Sequence, residues 1–116
     1  MTECVFCRIA SGDVPAKEVY RDDDAIAIED LNPQAPVHLL VISVKHYPTI
    51  GEATGGDSSD AAISAALIRI ASRLGEERGG RRGYRLVINT GIDGGQTVGH
   101  VHVHVLAGRT MGWPPG

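Results

Sequence analysis

Histidine and valine alternate strictly along residues 99–105, in the run Gly-His-Val-His-Val-His-Val. Side chains along a β-strand point to opposite faces in turn, at about 3.3 Å per residue, so this run predicts a strand with histidine on one face and valine on the other. Valine favours strands, and imidazole is the side chain whose ordinary pKa lies near neutrality. We therefore expect the valine face to pack on a core and the other face, with His100, His102 and His104, to carry chemistry.

Four further segments have the apolar character of strands and are bounded by turn-forming residues. With the alternating run, the predicted strands are residues 19–20, 25–30, 38–42, 84–89 and 99–106. Residues 5–12 predict a short helix that ends at Gly12, since glycine commonly terminates helices. Strands joined by short loops, together with one long helix, predict an α+β domain with an antiparallel sheet of about five strands.

The long helix is predicted from Ser59 or Asp60, either of which can cap it, to about Arg78. Its apolar residues recur at helical spacing and predict one stripe packed against the sheet. These residues are Ile63, Leu67, Ile70 and Leu74. The length of 116 residues fits one domain.

Charge and hydropathy exclude several classes of partner. The net charge is −3, which argues against a protein that neutralises nucleic acid. The arginine cluster at residues 78–85 is interleaved with glycines and indicates a solvated turn. Residues 1–4 lack the order of a signal peptide, and no apolar stretch approaches the ~20 residues of a membrane span. We therefore expect a cytoplasmic protein without a membrane partner.

Motifs on both sides of the alternating run complete a recognisable pattern. They are Gly-Gln-Thr-Val at residues 95–98, Asp-Leu-Asn-Pro-Gln-Ala-Pro-Val-His at 30–38, Asn-Thr-Gly at 89–91 and Gly-Trp-Pro-Pro-Gly at 112–116. With His-x-His-x-His, they resemble the histidine triad superfamily over essentially the whole chain. The Trp-Pro-Pro-Gly end resembles the Hint branch, the histidine triad nucleotide-binding proteins. This resemblance implies a single domain over residues 1–116 with a histidine triad fold.

The resemblance also implies an activity, the hydrolysis of nucleoside 5'-phosphoramidates, chiefly adenosine ones, by a homodimer that needs no cofactor for catalysis. It implies that His102 is the nucleophile, which attacks the α-phosphorus and becomes a covalent nucleotidyl-histidine. The residue type suits this role, because an imidazole with an ordinary pKa of about 6.5 is mostly unprotonated near pH 7. Neighbouring imidazoles can move protons, so His100, His104 and His38 are further catalytic candidates. For His38, a structural hydrogen-bonding role is an equally good interpretation.

Other site residues follow from the same resemblance and from the charge of the reaction. Negative charge on phosphate oxygens requires hydrogen-bond donors, for which His104, Asn89, Gly95, Gln96 and Thr97 are the candidates. The resemblance implies that Thr97 also contacts the leaving group and that Asp30 binds the ribose hydroxyls. It assigns the walls around a purine base to Val5, Phe6, Ile9, Ile28 and Leu31, and places Trp113 at the neighbouring subunit's pocket.

Two cysteines, Cys4 and Cys7, form a Cys-x-x-Cys motif near the start of the chain. From spacing alone they could be metal ligands, redox groups or core thiols. Some histidine triad relatives bind a structural zinc ion with such a pair and two histidines. The resemblance places His46 and His100 at those positions, and two cysteines with two histidines suit tetrahedral zinc.

Two other functions remain open at this point. Three histidines on one strand face could instead ligate a catalytic metal, as in a metal-dependent hydrolase or oxidoreductase. Alternatively, the protein could be a signalling module that binds nucleotides with negligible turnover.

Overall fold

The computed structural model describes residues 4–116. Residues 1–3, part of the stretch for which no signal peptide is expected, lie outside the described residues. The helices are α1 (Val5–Ser11), α2 (Ile50–Thr54), α3 (Ser58–Gly79) and α4 (Gly91–Gly94), with a 3₁₀ turn at Gly80–Arg82. The strands are β1 (Glu18–Arg21), β2 (Ala25–Glu29), β3 (Val37–Ser43), β4 (Tyr84–Val87) and β5 (His102–Ala107).

The five strands form one antiparallel sheet in the order β1-β2-β3-β5-β4. This confirms the predicted α+β class, with one long helix and a short N-terminal helix. Strand β5 lies between β3 and β4, and its pairs with β3 run from Val37↔Ala107 to Ile42↔His102. The histidine strand is therefore interior to the sheet, where neighbours on both sides fix its register.

The two faces of β5 differ as the alternation predicts. Val101, Val103 and Val105 pack in the main core with Leu67 and Ile70 of α3. On the opposite face, α1 packs a second apolar cluster onto the sheet. This cluster comprises Phe6, Ile9, Ile26, Ile28, Leu40 and Ile42. The histidine face is thus partly covered by α1 rather than open.

The histidine strand is shorter at its start than predicted. It begins at His102 instead of residue 99, because Ile42↔His102 is the last pair that β3 can form and the chain then turns away. The backbone N–H of Val101 donates to the carbonyl of Tyr47 at 2.7 Å rather than to a strand. His100 consequently lies outside the strand, which lets its ring join a different group of side chains.

The helix predictions need two corrections. Helix α3 is capped by Asp57, whose side chain accepts from the N–H of Asp60 in a capping box, so neither Ser59 nor Asp60 is the cap. Helices α2 and α4 were not predicted, since each is shorter than two turns and contains glycine. The apolar stripe of α3 is confirmed, with Leu67, Ile70 and Leu74 buried. No helix within residues 4–116 is long and apolar enough to cross a membrane.

Candidate active site

A cleft of about 330 Å³ lies on the histidine face, between α1, the end of β2 and strand β5. Its walls are mainly apolar, and its polar side chains are Lys17 before β1, Glu29 at the end of β2, and those of Asp30, Thr97, His102 and His104. Nine of the predicted site residues line it: Val5, Phe6, Ile9, Ile28, Asp30, Leu31, Thr97, His102 and His104. An apolar cleft with a few convergent polar groups is the usual form of a small-molecule site.

The tautomer of His102 is set by a backbone carbonyl. Its Nδ1 lies 2.8 Å from the carbonyl oxygen of His100, and because a carbonyl oxygen only accepts, Nδ1 carries the proton. The side chain is buried, and its ring makes an edge contact with the Phe6 ring, with the two ring centroids 5.1 Å apart. In the neutral ring, Nε2 is then the nitrogen with a lone pair, which can act as a nucleophile.

His38 and His104 form a second oriented pair. The N–H of Gln34 donates to Nδ1 of His38 at 3.0 Å, so the proton of the neutral His38 ring is on Nε2. That Nε2 lies 2.9 Å from Nδ1 of His104 and donates to it. The neutral His104 ring must then carry its own proton on Nε2. His104 lines the cleft, where such an N–H can donate to an anionic oxygen.

Asp30 is placed to bind hydroxyl groups at the edge of the cleft. One of its oxygens accepts from the N–H of Asn32 at 2.8 Å, and the other lies 3.3 Å from Nε2 of His38. Its side chain is 20% exposed, so the carboxylate keeps lone pairs that face solvent. A carboxylate in this state can accept hydrogen bonds from the two hydroxyls of a ribose.

In the loop before His100, the two backbone N–H groups predicted to bind phosphate make hydrogen bonds within the loop instead. The N–H of Gly95 donates to the carbonyl of Ile92 at 3.1 Å, and that of Gln96 donates to the carbonyl of Gly91 at 3.0 Å. The Gln96 side chain also bonds within the structure, donating to the carbonyls of Pro48 and Val98. Gly95 and Gln96 therefore hold the loop in shape instead of offering their N–H groups to a phosphate.

Of the remaining predicted residues, one lines the cleft and two do not. Thr97 lines the cleft, as predicted for a residue that contacts the substrate, and its role there stays a prediction. Asn89 is half-buried after β4, beside Gly95, and is not among the residues that line the cleft. Trp113 is 83% exposed and also lies outside the lining of the cleft of its own chain.

His100 belongs to a separate cluster with Cys4, Cys7 and His46. Its Nε2 donates to the carbonyl of Ser43 at 2.8 Å, which leaves Nδ1 unprotonated. That Nδ1 lies 3.3 Å from Sγ of Cys4, 3.5 Å from Sγ of Cys7 and 3.1 Å from Nδ1 of His46. Atoms bound to one tetrahedral zinc ion are about 3.4–3.8 Å apart, so the donor set fits zinc, and these distances differ from the required spacing by a few tenths of an ångström at most.

The three histidines of the run therefore do not converge on one point. His100 faces the two cysteines, whereas His104 groups with Asp30 and His38. His102 is held by a carbonyl and lies between these groups. This division does not match the arrangement that a single three-histidine catalytic metal would require.

Comparison with known proteins agrees with this architecture. The family model of the HIT domain matches residues 11–111. The chain belongs to the HIT domain family. An uncharacterised HIT-like protein of Synechococcus elongatus is 42% identical over 114 residues, covering 98% of this chain and 97% of the relative.

Solved HIT structures resemble the chain over nearly its full length. A HIT family hydrolase from Legionella pneumophila Philadelphia 1 is 43% identical with a TM-score of 0.90, covering 98% of this chain and 100% of that one. A histidine triad protein from Clostridium difficile is 36% identical with a TM-score of 0.86, covering 97% and 96%. The relation to the HIT family is thus close in both sequence and backbone.

Burial lowers the pKa of three histidine rings of this HIT domain and so favours their neutral form. It lowers the pKa of His104 to about 4, with a further lowering from His102 and His38 that Asp30 partly opposes. Burial also lowers the pKa of His38, again against the effect of Asp30. It lowers the pKa of His100 to about 4, which suits a metal ligand because zinc binds the neutral ring.

The low pKa of His104 predicts a loss of stability in mild acid. Between pH 6.5 and 4 the unfolded chain binds a proton at this position that the folded chain does not, so the free energy of unfolding rises with pH over this range. We expect wild type to lose about 1–2 kcal/mol more than His104→Asn between pH 7 and 4.5, the partial exposure of the ring reducing the full effect. Urea unfolding at both pH values measures this, and equal losses in the two proteins would contradict the assignment.

Three groups of the site in this HIT domain are not predicted by the sequence. The N–H of Gln34 sets the tautomer of His38, the carbonyl of Ser43 sets that of His100, and the carbonyl of His100 sets that of His102. All three are backbone groups, so residue type gives no signal for them. Leu40 and Val98 also line the cleft, and both lie in apolar segments that predict a core as readily as a binding site.

Proposed function

We propose that this HIT protein hydrolyses nucleoside 5'-phosphoramidates, chiefly adenosine ones, and related nucleotidyl-amine compounds through a nucleotidyl-His102 intermediate. The observation that carries the proposal is the bond from Nδ1–H of His102 to the carbonyl of His100, which reserves Nε2 for attack. The names of similar proteins as HIT family hydrolases support a hydrolytic reaction. The Trp-Pro-Pro-Gly end supports membership of the Hint branch.

The proposed substrate fits the arrangement of the cleft. The apolar side chains of Phe6, Ile9 and Ile28 lie at the wall formed by α1 and β2, where a purine ring would be enclosed. Asp30 then meets the ribose, and His102 with His104 meets the α-phosphate. Strand β2 is two strands from β5, about 10 Å at the usual spacing, which is comparable to the length of a nucleoside monophosphate.

In the first step, Nε2 of His102 attacks the α-phosphorus and the bond from phosphorus to the substrate amine breaks. The departing amine needs a proton, and the hydroxyl of Thr97, which lines the cleft, delivers it. The Nε2–H of His104 donates to a non-bridging oxygen as negative charge develops there.

In the second step, water attacks the same phosphorus, the bond to Nε2 of His102 breaks, and a proton of this water restores the Thr97 hydroxyl. The nucleoside monophosphate leaves, and His102 returns to the neutral tautomer that the His100 carbonyl favours. The reaction consumes one water and releases one amine for each phosphoramidate. No cofactor takes part in this scheme.

Intact-mass analysis tests the reaction class and the nucleophile together. After brief incubation with adenosine 5'-phosphoramidate and quenching in alkaline denaturant, which preserves the P–N bond, we expect a fraction of the protein to gain the mass of one adenylyl group, mapped to His102. His102→Asn is the matched control, since it keeps the size and Nδ1-like donor of the side chain but lacks Nε2. An adduct on another residue, or turnover with no adduct in rapid-quench samples, would overturn the mechanism.

We also propose that Cys4, Cys7, His46 and His100 hold one structural zinc ion. The donor set and its spacing support this, and zinc would join the start of α1 to the segments after β3 and before β5. His100 then has two functions: its ring binds zinc, and its backbone carbonyl accepts the hydrogen bond from Nδ1–H of His102. Zinc would supply rigidity rather than take part in the reaction.

A homodimer is the third part of the proposal. Strand β4 is an edge of the sheet in one chain, and exposed apolar side chains lie on it and on α3, namely Tyr84 and Ile68. Pairing with a second copy would cover both. The tail that bears exposed Trp113 is held to β4, where Arg85 donates to the carbonyl of Gly112 at 2.9 Å.

Deletion of residues 111–116 tests whether Trp113 acts on the partner's cleft. We expect the truncated protein to remain dimeric and to form the His102 adduct, while its relative kcat/KM values across phosphoramidates with different amines change by about threefold or more. Trp113→Ala in the full chain separates the ring from the rest of the tail. Unchanged relative kcat/KM values would contradict this role, and a monomer by light scattering at micromolar concentration would remove its basis.

A further inference from the structure

The segment that follows β5 is attached to the loop that precedes β3. Arg109 donates from Nε to the carbonyl of Gln34 at 2.8 Å and from Nη1 to the carbonyl of Thr110 at 3.2 Å. Gly108 has φ +94°, and a Cβ placed there would lie 2.8 Å from Cβ of Pro36. A hydrogen bond and a close packing contact therefore both hold the loop at residues 31–36 against residues 108–109.

Gln34 connects this attachment to the histidines of the site. Its carbonyl accepts from Arg109, and its N–H donates to Nδ1 of His38 at 3.0 Å. The two peptide groups flank a single Cα, and the following residue, Ala35, is buried. Fixing the carbonyl therefore limits the directions in which the N–H can point.

The direction of this N–H decides which nitrogen of His104 can donate in the cleft. With Nδ1 of His38 accepting, Nε2 of His38 donates to Nδ1 of His104, and Nε2–H of His104 is left for the substrate. If the Gln34 N–H is lost, the Asp30 carboxylate, 3.3 Å from Nε2 of His38, is the remaining group that favours a proton on that nitrogen, and a fraction of the molecules can carry the His38 proton on Nδ1 instead. Nε2 of His38 then accepts from His104, which leaves the other nitrogen of His104 with a lone pair facing the phosphate.

We propose that Arg109 is a positioning residue for the reaction: through the backbone of Gln34, it holds His38 and His104 in the tautomers that make His104 a donor to the phosphate. The proposal rests on the proposed function, since it assumes that His104 stabilises the reacting phosphate. The residue itself is outside the cleft lining and exposed. Its replacement therefore removes hydrogen bonds without opening a cavity.

The direct test is the ring-nitrogen spectrum of His38 and His104 in the full-length protein at pH 7.5, without substrate. In wild type, long-range ¹H–¹⁵N spectra should show both rings with Nε2 protonated and Nδ1 unprotonated. In Arg109→Ala we expect the His38 nitrogens to move toward the average of the two tautomers. We expect kcat for adenosine 5'-phosphoramidate to fall about three- to thirtyfold, with KM within about twofold.

Two further variants make the result specific. Arg85→Ala removes the same side chain from a bond to a backbone carbonyl, but that carbonyl is Gly112 of the tail, so the His38 signals should stay as in wild type. Arg109→Lys keeps one donor for the Gln34 carbonyl and should give shifts and kcat between those of wild type and Arg109→Ala.

Unchanged His38 signals in Arg109→Ala, or equal changes in Arg85→Ala, would overturn the proposal. Altered signals with unchanged kcat would overturn it as well, because the tautomer would then have no effect on the reaction. Failure of the proposed function is a different result, namely wild-type protein without phosphoramidate turnover. The spectra are recorded without substrate, so they distinguish the two failures.

Discussion

Replacement of His102 by alanine should reduce phosphoramidate turnover by at least about a thousandfold, because it removes the atom that forms the covalent intermediate. The affinity for adenosine monophosphate should stay within about tenfold, since Phe6, Ile9 and Asp30 still enclose the nucleoside. Turnover is measured by release of the amine and affinity by calorimetric titration. The separation of a lost rate from a retained affinity distinguishes a nucleophile from a residue that shapes the site.

His104→Ala is the informative comparison for this prediction. It removes a donor to the phosphate but leaves the nucleophile, so the rate should fall by about a hundredfold and the His102 adduct should still form. A His102→Ala enzyme that keeps more than about a tenth of the wild-type rate would refute the nucleophile assignment. The alternative of a nucleotide-binding module with negligible turnover predicts instead that wild type and both variants are equally inactive while all bind nucleotide.

Removal of zinc should lower the melting temperature by about 10 °C or more, because the four ligands join three separate segments of the chain. Protein prepared from zinc-supplemented growth without chelator should contain about one zinc per chain. The measurements are metal analysis and thermal unfolding before and after dialysis against a strong chelator. Less than about 0.1 zinc per chain would count decisively against the site.

His46 offers a control that separates zinc from packing. Its side chain is exposed, so His46→Gln should have little effect on the metal-free protein. In the zinc-loaded protein the same change should lower the melting temperature, since it removes one of four ligands. A similar effect with and without zinc would show that His46 contributes only through its own contacts. A structural zinc also predicts that chelation lowers stability without abolishing turnover at low temperature.

Much of the site could be predicted from residue types and spacing. The alternation of histidine and valine has the period of a strand, so it separates a core face from a functional face wherever the strand lies in the sheet. The Cys-x-x-Cys motif likewise brings two sulfur atoms to the start of a helix without help from the rest of the fold. The long helix was predicted because an apolar stripe at helical spacing must be buried against something.

The tertiary structure decided how these groups are used. The sequence puts His100, His102 and His104 in one pattern, but the strand begins only at His102, where its pairing with β3 stops at Ile42. The His100 ring therefore lies beside the two cysteines, whereas His102 and His104 line the cleft.

Backbone groups supplied the rest of the site. Carbonyls of Ser43 and His100 and the N–H of Gln34 select the tautomers of three rings. Gly95 and Gln96 bond within their own loop and so do not offer their amides to a phosphate. By itself, the sequence determined which side chains are available and on which face of a strand or helix they lie, because those follow from local periodicity. Which nitrogen carries a proton, and which amide is already bonded, depended on backbone atoms brought together from distant parts of the chain, and every residue type carries the same backbone carbonyl.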